Sequence, residues 1–360
     1  MFDHFNYFPI INIKPAEISA LQHLPGPDKD AFLPIIGLKK WANSKSLDNS
    51  VLQIEKGISS RSAVLDLGNV GAGTGADEEL FKLKEAAGGF KNWIAFLRNH
   101  ENFIPALQTN SFVKRNFLSQ VDKALSLDRG IAIRLRRKQE WNANAVEALE
   151  EINFGGQSVL LILDVEQLEA NFDLLNSAAL MSQIAVRARD KFKSSQLTIC
   201  PAGSSFPSEF ASINRQHAKI NIRERQLQHI LNQLSAQSKL GIEFRYGDYA
   251  SVFAGDRGFA QTGNAVRIDY PSRFRWIYHR RENEAEGWKN AANAVTSEAE
   301  WNNELTIWGA ERIRRAAIGE LDGMKYQRDW VAVRINLHLH QQTNFDGGDG
   351  LLSTDEPWKD

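Results

Sequence analysis

The stretch "SVLLILDVE" (158–166) decides the fold, because it is a run of aliphatic residues that ends in two acids. A nearly continuous apolar run of this kind is typical of a strand in a parallel sheet that is covered on both faces. Asp164 and Glu166 close the run. A buried strand has no structural use for two carboxylates, so their position raises the question of what they face.

Short strand-like runs of the same kind alternate with longer helical patterns over the first 255 residues. The other seven runs cover residues 7–14, 32–41, 62–69, 103–109, 130–137, 196–203 and 241–253. Eight strand–helix units in this length predict an α/β fold, a (β/α)8 TIM-like barrel over residues 1–255. An open doubly wound α/β sheet has the same local signature and is the alternative, although no dinucleotide-type glycine fingerprint follows the first strand.

The rhythm changes after residue 255. Residues 264–281 alternate arginines with aromatic residues and indicate extended segments, two helical patterns follow, and residues 326–340 alternate like a strand. We expect a C-terminal α+β appendage over 256–340 that packs on the barrel. Residues 341–360 are rich in glycine and aspartate, which predicts a flexible acidic tail.

Composition excludes several classes of protein. The chain is 42% hydrophobic and 24% charged with a net charge of −1, values typical of a globular protein with no overall attraction to nucleic acid or anionic membrane. Its single cysteine, Cys200, excludes an intramolecular disulfide framework and fits a reducing compartment. We see neither a signal peptide nor a long apolar window, and therefore expect a cytoplasmic protein with no membrane partner.

The predicted carboxyl ends of the strands carry charged residues of both signs. In a barrel these ends form one face, where the loops that follow the strands gather. Alternation places Arg134 with Arg136, and Asp164 with Glu166, on common strand faces. The candidate catalytic residues are Asp164, Asp248 and Glu166. The candidate ligand-binding residues are Lys14, Glu17, Lys39, Asp66, Arg134, Arg136, Arg245 and Tyr249.

A mixed ring of this kind predicts a small, nucleotide-like anionic ligand that the lysines and arginines hold. The carboxylates would orient the ligand, act as a base, or bind a divalent cation such as Mg²⁺. The alternative is purely structural, since polar residues at strand ends also form salt bridges between the layers of a barrel.

Three weaker signals have plain structural alternatives. The glycine-rich "GNVGAGTGAD" (68–77) lacks the lysine of a phosphate-binding loop and is better interpreted as a surface loop. His338 and His340 would share a face of a strand and could begin a metal site, but no third ligand is visible nearby. The arginine–aromatic segment could bind nucleic acid, but the near-zero net charge favours a structural or protein-facing role. Motifs for serine or cysteine nucleophiles are missing.

Several segments together resemble the Beta protein family, which occurs in satellite phages, prophages and bacterial mobile elements. They are "YFPIINIKPAEISAL", "VLLILDVE", "EFRYGDYAS", "GAERIRRAAIGE" and "DWVAVRINLHLH", and they span about residues 7 to 340. The resemblance implies a protein encoded beside partner genes and associated with defence against phage. It brings no catalytic residues to carry over.

Three functional hypotheses follow. The first is a sensing or regulatory component of an antiphage locus that binds a small anion at the barrel mouth. The second is a metal-assisted phosphodiester or nucleotide hydrolase that uses Asp164 or Asp248. The third is a scaffold without catalysis that contacts proteins encoded in the same locus.

Overall fold

The computed structural model describes the chain from residue 1 to residue 345 with several gaps. The described residues are 1–68, 75–109, 113–137, 149, 152, 154–168, 171–192, 196–208, 216–255, 265–282 and 286–345. Most of the glycine-rich stretch (69–74) and most of the predicted tail (346–360) lie outside these residues.

Eight of the strands form one parallel sheet that curls into a nearly closed barrel, which confirms the predicted (β/α)8 TIM-like fold. The strands are β1 Tyr7–Asn12, β2 Ile35–Leu38, β3 Ala63–Leu67, β4 Phe103–Leu107, β5 Ile131–Arg136, β6 Ser158–Gln167, β7 Gln196–Ser204, β8 His217–Asn221, β9 Tyr246–Asp248, β10 Ala265–Pro271 and β11 Arg275–Glu282. The barrel order is β7-β6-β5-β4-β3-β2-β1-β9. A bridge between Ile199 and Phe244, with the Arg245 N–H donating to the Ile199 carbonyl over 2.9 Å, brings the two ends together.

Helices surround the barrel and form part of the appendage. They are α1 Pro15–Gln22, α2 Gly26–Ala31, α3 Asp48–Ile58, α4 Ala76–Leu83, α5 Ala87–Arg98, α6 Lys114–Leu125, α7 Asn171–Lys191, α8 Arg223–Gln237, α9 Gly287–Thr296, α10 Trp308–Ala317 and α11 Gln327–Thr343. Among these described helices, none combines the length and the apolar character that crossing a membrane requires.

Alternating residues of the strands fill the barrel interior. The inward residues are Phe8, Ile10, Ile35, Val64, Ile104, Ala106, Ala132, Leu160, Ile162, Cys200 and Ala202. Phe2 belongs to the same cluster and lies against Gly130, directly before β5, so it closes the amino-terminal end of the barrel. Gly247 of β9 also faces inward, because a Cβ there would lie 2.6 Å from the Cys200 sulfur. These contacts identify which residues of each strand face the barrel interior.

The appendage is built on an antiparallel sheet of order β10-β11-β8. Strand β8 comes from the segment between β7 and α8, inside the stretch that we expected to be barrel alone. Helices α9 and α10 contribute buried residues to the same apolar core as β10.

Helix α11 joins the barrel to the appendage. Ile335 and Leu339 pack with the outer face of the barrel, whereas Trp330, Val333 and Leu337 pack in the appendage core. The prediction of a strand over 326–340 is wrong. The helix is buried on several sides, so its polar residues Arg334, Asn336 and His338 are inside as well, and the apolar–polar alternation does not mark an exposed face.

The contact between Gly247 and Cys200 gives a test of the barrel interior. We expect Gly247→Ala to lower the free energy of unfolding by about 1–3 kcal/mol, because the new methyl group enters space that the sulfur already occupies. Urea unfolding of the two proteins measures the difference.

Gly26→Ala is the matched control, since its Cβ would lie 3.6 Å from a guanidinium nitrogen of Arg61, an ordinary contact. We expect this variant to stay within about 0.5 kcal/mol of the parent. Equal stability of the Gly247→Ala variant and the parent would contradict the inward position of Gly247.

Candidate functional site

The inward alternation of the strands ends in polar residues at the carboxyl-terminal mouth of the barrel. On almost every strand, the next inward-facing position after the apolar ones, on the strand or directly after it, is a polar side chain. These residues are Asn12, Lys39, Asp66, Gln108, Arg134, Arg136, Asp164, Ser204 and Tyr249. The two-residue alternation that places apolar side chains in the barrel core thus also places a layer of polar side chains at its mouth.

Arg134 is the centre of this layer. Its Nε and Nη2 donate to one oxygen of Asp164 over 2.9 and 2.7 Å, and its Nη1 donates to Asp66 over 3.2 Å. Nη2 also donates to the hydroxyl of Tyr249 over 2.9 Å, and that hydroxyl donates to Asp164 over 2.7 Å. We call Asp66, Gln108, Arg134, Arg136, Asp164 and Tyr249 the mouth network. Five of the eleven candidate residues therefore meet in one place.

Asp66 extends the mouth network across β3, β4 and β5. One of its oxygens accepts from Nη1 of Arg134 and from Nη2 of Arg136, the latter over 2.7 Å. The other oxygen accepts from the amide of Gln108 and from the backbone N–H of Leu67. Burial alone would raise the pKa of Asp66, but Arg136, Arg134 and these hydrogen bonds outweigh it and hold the pKa below its usual value.

Exposure increases outward through the mouth network. The side chain of Asp164 is 0% exposed and that of Arg134 is 8% exposed, whereas that of Arg136 is 22% exposed. Asp164 accepts three hydrogen bonds on one oxygen and one from the Glu166 N–H on the other. Its carboxylate is therefore occupied, which suits a residue that positions Arg134 rather than a base or a metal ligand.

Lys84 lies beside the outer part of the mouth network, at the end of α4. Burial lowers its pKa, the field of Asp66 acts in the opposite direction, and that of Arg136 lowers it further. Two half-buried cations thus lie near one carboxylate. Lys84 was missed in the sequence because it belongs to a helix end and not to a strand.

Glu166 follows Asp164 at an irregular point of β6. The register with β7 shifts between Asp164 and Gln167, and Glu166 has a φ of 61°. Its Oε2 is buried and has no hydrogen-bond partner within the described part of the chain. A β-bulge with a strained residue and an unsatisfied carboxylate oxygen is an arrangement that often marks a binding position.

Three further candidates lie where β1 and β2 end. Lys39 donates to the side-chain oxygen of Asn12 over 3.1 Å, and Lys14 is exposed before α1. Glu17 is buried, which raises its pKa, while Lys14, Lys39 and Arg334 of α11 partly offset that shift. These residues extend the mouth toward the appendage.

Asp248 does not lie at the mouth, because it faces the outside of the barrel wall. It accepts from Tyr7 and Tyr246 over 2.6 and 2.7 Å and from the Ala250 N–H, and it pairs with His338 over 2.6 Å. We call Tyr7, Tyr246, Asp248 and His338 the wall network. Alternation explains the placement: Gly247 and Tyr249 face inward, so Asp248 between them faces outward.

Glu224 of α8 lies near the wall network and was not predicted. Its two oxygens accept from the backbone N–H and the hydroxyl of Ser205 over 2.5 and 2.6 Å. Burial raises its pKa to about 7, and the charge of Asp248 adds to the shift.

Arg245 lies at the opposite end of the barrel from the mouth. Strand β9 begins only at Tyr246, so Arg245 precedes the strand instead of ending it. Its guanidinium donates to Asn6, to Glu243 and to the Asp3 carbonyl. It lines a cavity of about 500 Å³ at this amino-terminal end.

The two histidines of α11 have separate partners. His338 contacts Asp248, whereas His340 pairs with Asp28 of α2 over 2.7 Å. Side chains that are two positions apart on a helix point in different directions. His338 and His340 therefore do not share the face that a strand would have given them.

The arginine–aromatic segment forms the β10–β11 hairpin. Three of its four aromatic residues, Tyr270, Trp276 and Tyr278, are buried, and Phe274 is half-buried. Burial leaves the first three unavailable for stacking on nucleic-acid bases.

Comparison with known proteins identifies the family. The model of the family described as "Beta protein" matches residues 7–344. A relative named "Protein beta", from Enterobacteria phage P4, is 29% identical over 346 residues, which is 95% of this chain and 94% of the relative. The chain belongs to the Beta protein family, as the sequence segments indicated, and the similarity links it to a bacteriophage protein.

The buried pairing of Arg134 gives a second test. We expect Arg134→Met to lower the free energy of unfolding by about 3–5 kcal/mol, because it leaves Asp66 and Asp164 buried without their common counter-ion. Urea unfolding at neutral pH measures the loss. Arg328→Met is the control, since the Arg328 side chain is 75% exposed beside Asp329 and such pairs contribute below about 1 kcal/mol. Similar losses in the two variants would contradict the central role of Arg134.

The shifted pKa of Glu224 gives a test of pH dependence. A folded-state pKa of about 7, above the value in the unfolded chain, means that its stabilising contribution is complete below about pH 4.5 and is lost as pH rises through 7. We expect Glu224→Gln to unfold at a higher urea concentration than the parent at pH 8, with a difference that shrinks toward pH 4.5. Glutamine retains an acceptor and a donor for Ser205. A difference that is constant with pH would contradict this assignment.

Proposed function

We propose that this member of the Beta protein family is a binding protein whose barrel mouth takes a small anionic ligand of the nucleotide type. In this proposal the protein senses the ligand and does not convert it. Binding would regulate proteins encoded in the same phage-carried locus, in the cytoplasm of the host cell.

The observation that carries the proposal is the layering of charge at the mouth. Arg134 is enclosed by two carboxylates in the buried part of the mouth. Arg136, which donates to Asp66, and Lys84, on which the charges of Asp66 and Arg136 act, are half-buried. Among the described residues around the mouth, there are five cations (Lys14, Lys39, Lys84, Arg134 and Arg136) and four carboxylates (Glu17, Asp66, Asp164 and Glu166). The excess positive charge is on the more accessible side.

Burial lowers the pKa of Lys84, the field of Asp66 partly offsets this shift, and the field of Arg136 adds to it. A phosphate near Arg136 and Lys84 would stabilise both cations and accept charge-assisted hydrogen bonds from them. Asp164 and Asp66 hold the guanidinium of Arg134 in a fixed position beneath the ligand.

The unsatisfied oxygen of Glu166 favours a ligand that also has hydrogen-bond donors. A nucleotide carries phosphate oxygens for the cations and hydroxyl or amino groups for the carboxylate, so one molecule could meet both requirements. A divalent cation such as Mg²⁺ would arrive on the phosphates, since Asp164 has no free position for it.

The hydrolase alternative has less support. It depends on Asp164 or Asp248 as a base or metal ligand, and both carboxylates are buried and fully hydrogen-bonded. A polynucleotide ligand is also disfavoured, since the chain has a net charge of −1. The role in defence against phage remains part of the proposal and rests on the family resemblance.

Binding is tested by titrating the protein with ATP, with and without Mg²⁺, in calorimetry and in thermal unfolding. We expect ATP to raise the Tm and adenosine, which lacks phosphate, to leave it unchanged. Arg136→Ala and Lys84→Ala should each weaken binding at least about tenfold, the loss of roughly one charge-assisted hydrogen bond.

Lys289→Ala is the matched control, because Lys289 is half-exposed on the appendage and pairs with Glu286 only one turn away. Its affinity for ATP should equal that of the parent. Absence of binding by ATP and by a panel of other nucleotides, or equal affinity in all these variants, would overturn the proposal.

A further inference from the structure

A cluster of two histidines and a glutamate lies in the appendage, away from the mouth network. His217 of β8 and His279 of β11 are direct partners in the antiparallel pair. Their rings stack with centroids 4.6 Å apart and planes 18° apart. The register of the sheet therefore holds two imidazoles side by side.

Glu298 completes the cluster from the loop after α9. Its Oε1 lies 3.0 Å from Nε2 of His217 and 2.6 Å from Nε2 of His279. The ligand atoms of the three residues all lie within 4.8 Å of one another. Two imidazole nitrogens and a carboxylate oxygen thus converge on one point from three separate parts of the appendage.

We propose that His217, His279 and Glu298 form a binding site for a divalent transition-metal ion, and that Zn²⁺ fits it best. Two histidines and one carboxylate are a common ligand set for this ion, which binds them at about 2.0–2.2 Å. Tetrahedral geometry at those lengths separates the ligand atoms by about 3.3 Å. The observed contacts need to open only slightly to admit the ion.

Burial suits a site with two fixed ligands and one open side. His279 is buried and the Glu298 side chain is 12% exposed, whereas the His217 side chain is 43% exposed. His217 gives the ion a route from solvent and leaves room for water as a fourth ligand. Bound metal would join β8, β11 and the loop after α9.

The hydrogen bonds of the cluster leave one ring nitrogen of His279 without a partner in the described part of the chain. Both imidazoles direct Nε2 to the same glutamate oxygen, and Nδ1 of His279 is buried without a hydrogen-bond partner in the described part of the chain. One carboxylate oxygen shared by two imidazoles is a geometry that a single cation at their centre would use fully.

Lys219 competes with the ion for Glu298. It lies two residues after His217 on β8, and its Nζ is 3.0 Å from Oε2 of Glu298 and 2.8 Å from Glu300. The ammonium occupies the second glutamate oxygen and leaves Oε1 to the histidines. Its charge should weaken metal binding, so its removal should strengthen it.

Titration of the intact chain with Co²⁺, followed by displacement with Zn²⁺, tests the site. We expect one equivalent of Co²⁺ to give visible absorption bands, which Zn²⁺ abolishes, and Zn²⁺ to raise the Tm. His279→Ala and His217→Ala should each lose saturable binding, whereas His23→Ala, which removes an exposed histidine elsewhere, should bind like the parent. Lys219→Met should tighten binding, by about tenfold if the ammonium contributes 1.4 kcal/mol of repulsion.

Circular dichroism checks that each variant is folded. Because His217 is the more exposed of the two histidines, His217→Ala should disturb the fold less than His279→Ala. Failure of the parent to bind Co²⁺ or Zn²⁺ up to millimolar concentration would overturn the proposal. Binding that persists in both histidine variants, or an affinity that Lys219→Met leaves unchanged or weakens, would overturn it as well.

Discussion

The pairing of Arg134 with Asp66 and Asp164 is the interaction on which the rest of the mouth depends. The guanidinium reaches from β5 to carboxylates of β3 and β6 and to Tyr249 after β9. These contacts connect distant parts of the barrel rim across its interior. A charge buried in this way is costly without partners, so the position of each strand end is tied to the others. The apolar core of the barrel holds the strands together, and Arg134 holds the polar side chains at their carboxyl ends in place.

The alternation of a strand lets the same segment serve two networks. Around β9, Tyr246 and Asp248 face outward to Tyr7 and His338, while Gly247 and Tyr249 face inward to Cys200 and Arg134. The wall network secures α11, and α11 in turn carries the appendage core. A few consecutive residues therefore contact both the mouth network and the helix that packs in the appendage core. In the proposed function, these contacts would connect a ligand at the mouth with the appendage.

Strand periodicity in the sequence was enough to predict the barrel and to bring Asp66, Arg134, Arg136, Asp164 and Tyr249 together, because these depend on local pattern and parity. Asp248 could have been separated from Tyr249 by the same parity argument. Arg245 could not be placed, because the length of β9 depends on its neighbours. Helix α11 resembled a strand because its polar residues are buried with partners contributed by remote parts of the chain. Lys84, Glu224 and the His217–His279 pair depend on long-range packing, which single-sequence patterns do not contain.

The central claim is that Arg136 and Lys84 form an anion-binding rim above the buried pairing of Arg134 with two carboxylates. Diffraction from crystals soaked in tungstate, a heavy analogue of phosphate, tests it most directly, since tungsten scatters anomalously and marks its own position. We predict an anomalous peak within hydrogen-bonding distance of both Arg136 and Lys84, with Asp164 still bound to Arg134. A mouth without tungstate, or a peak that displaces Asp164 and takes Arg134 for itself, would contradict it.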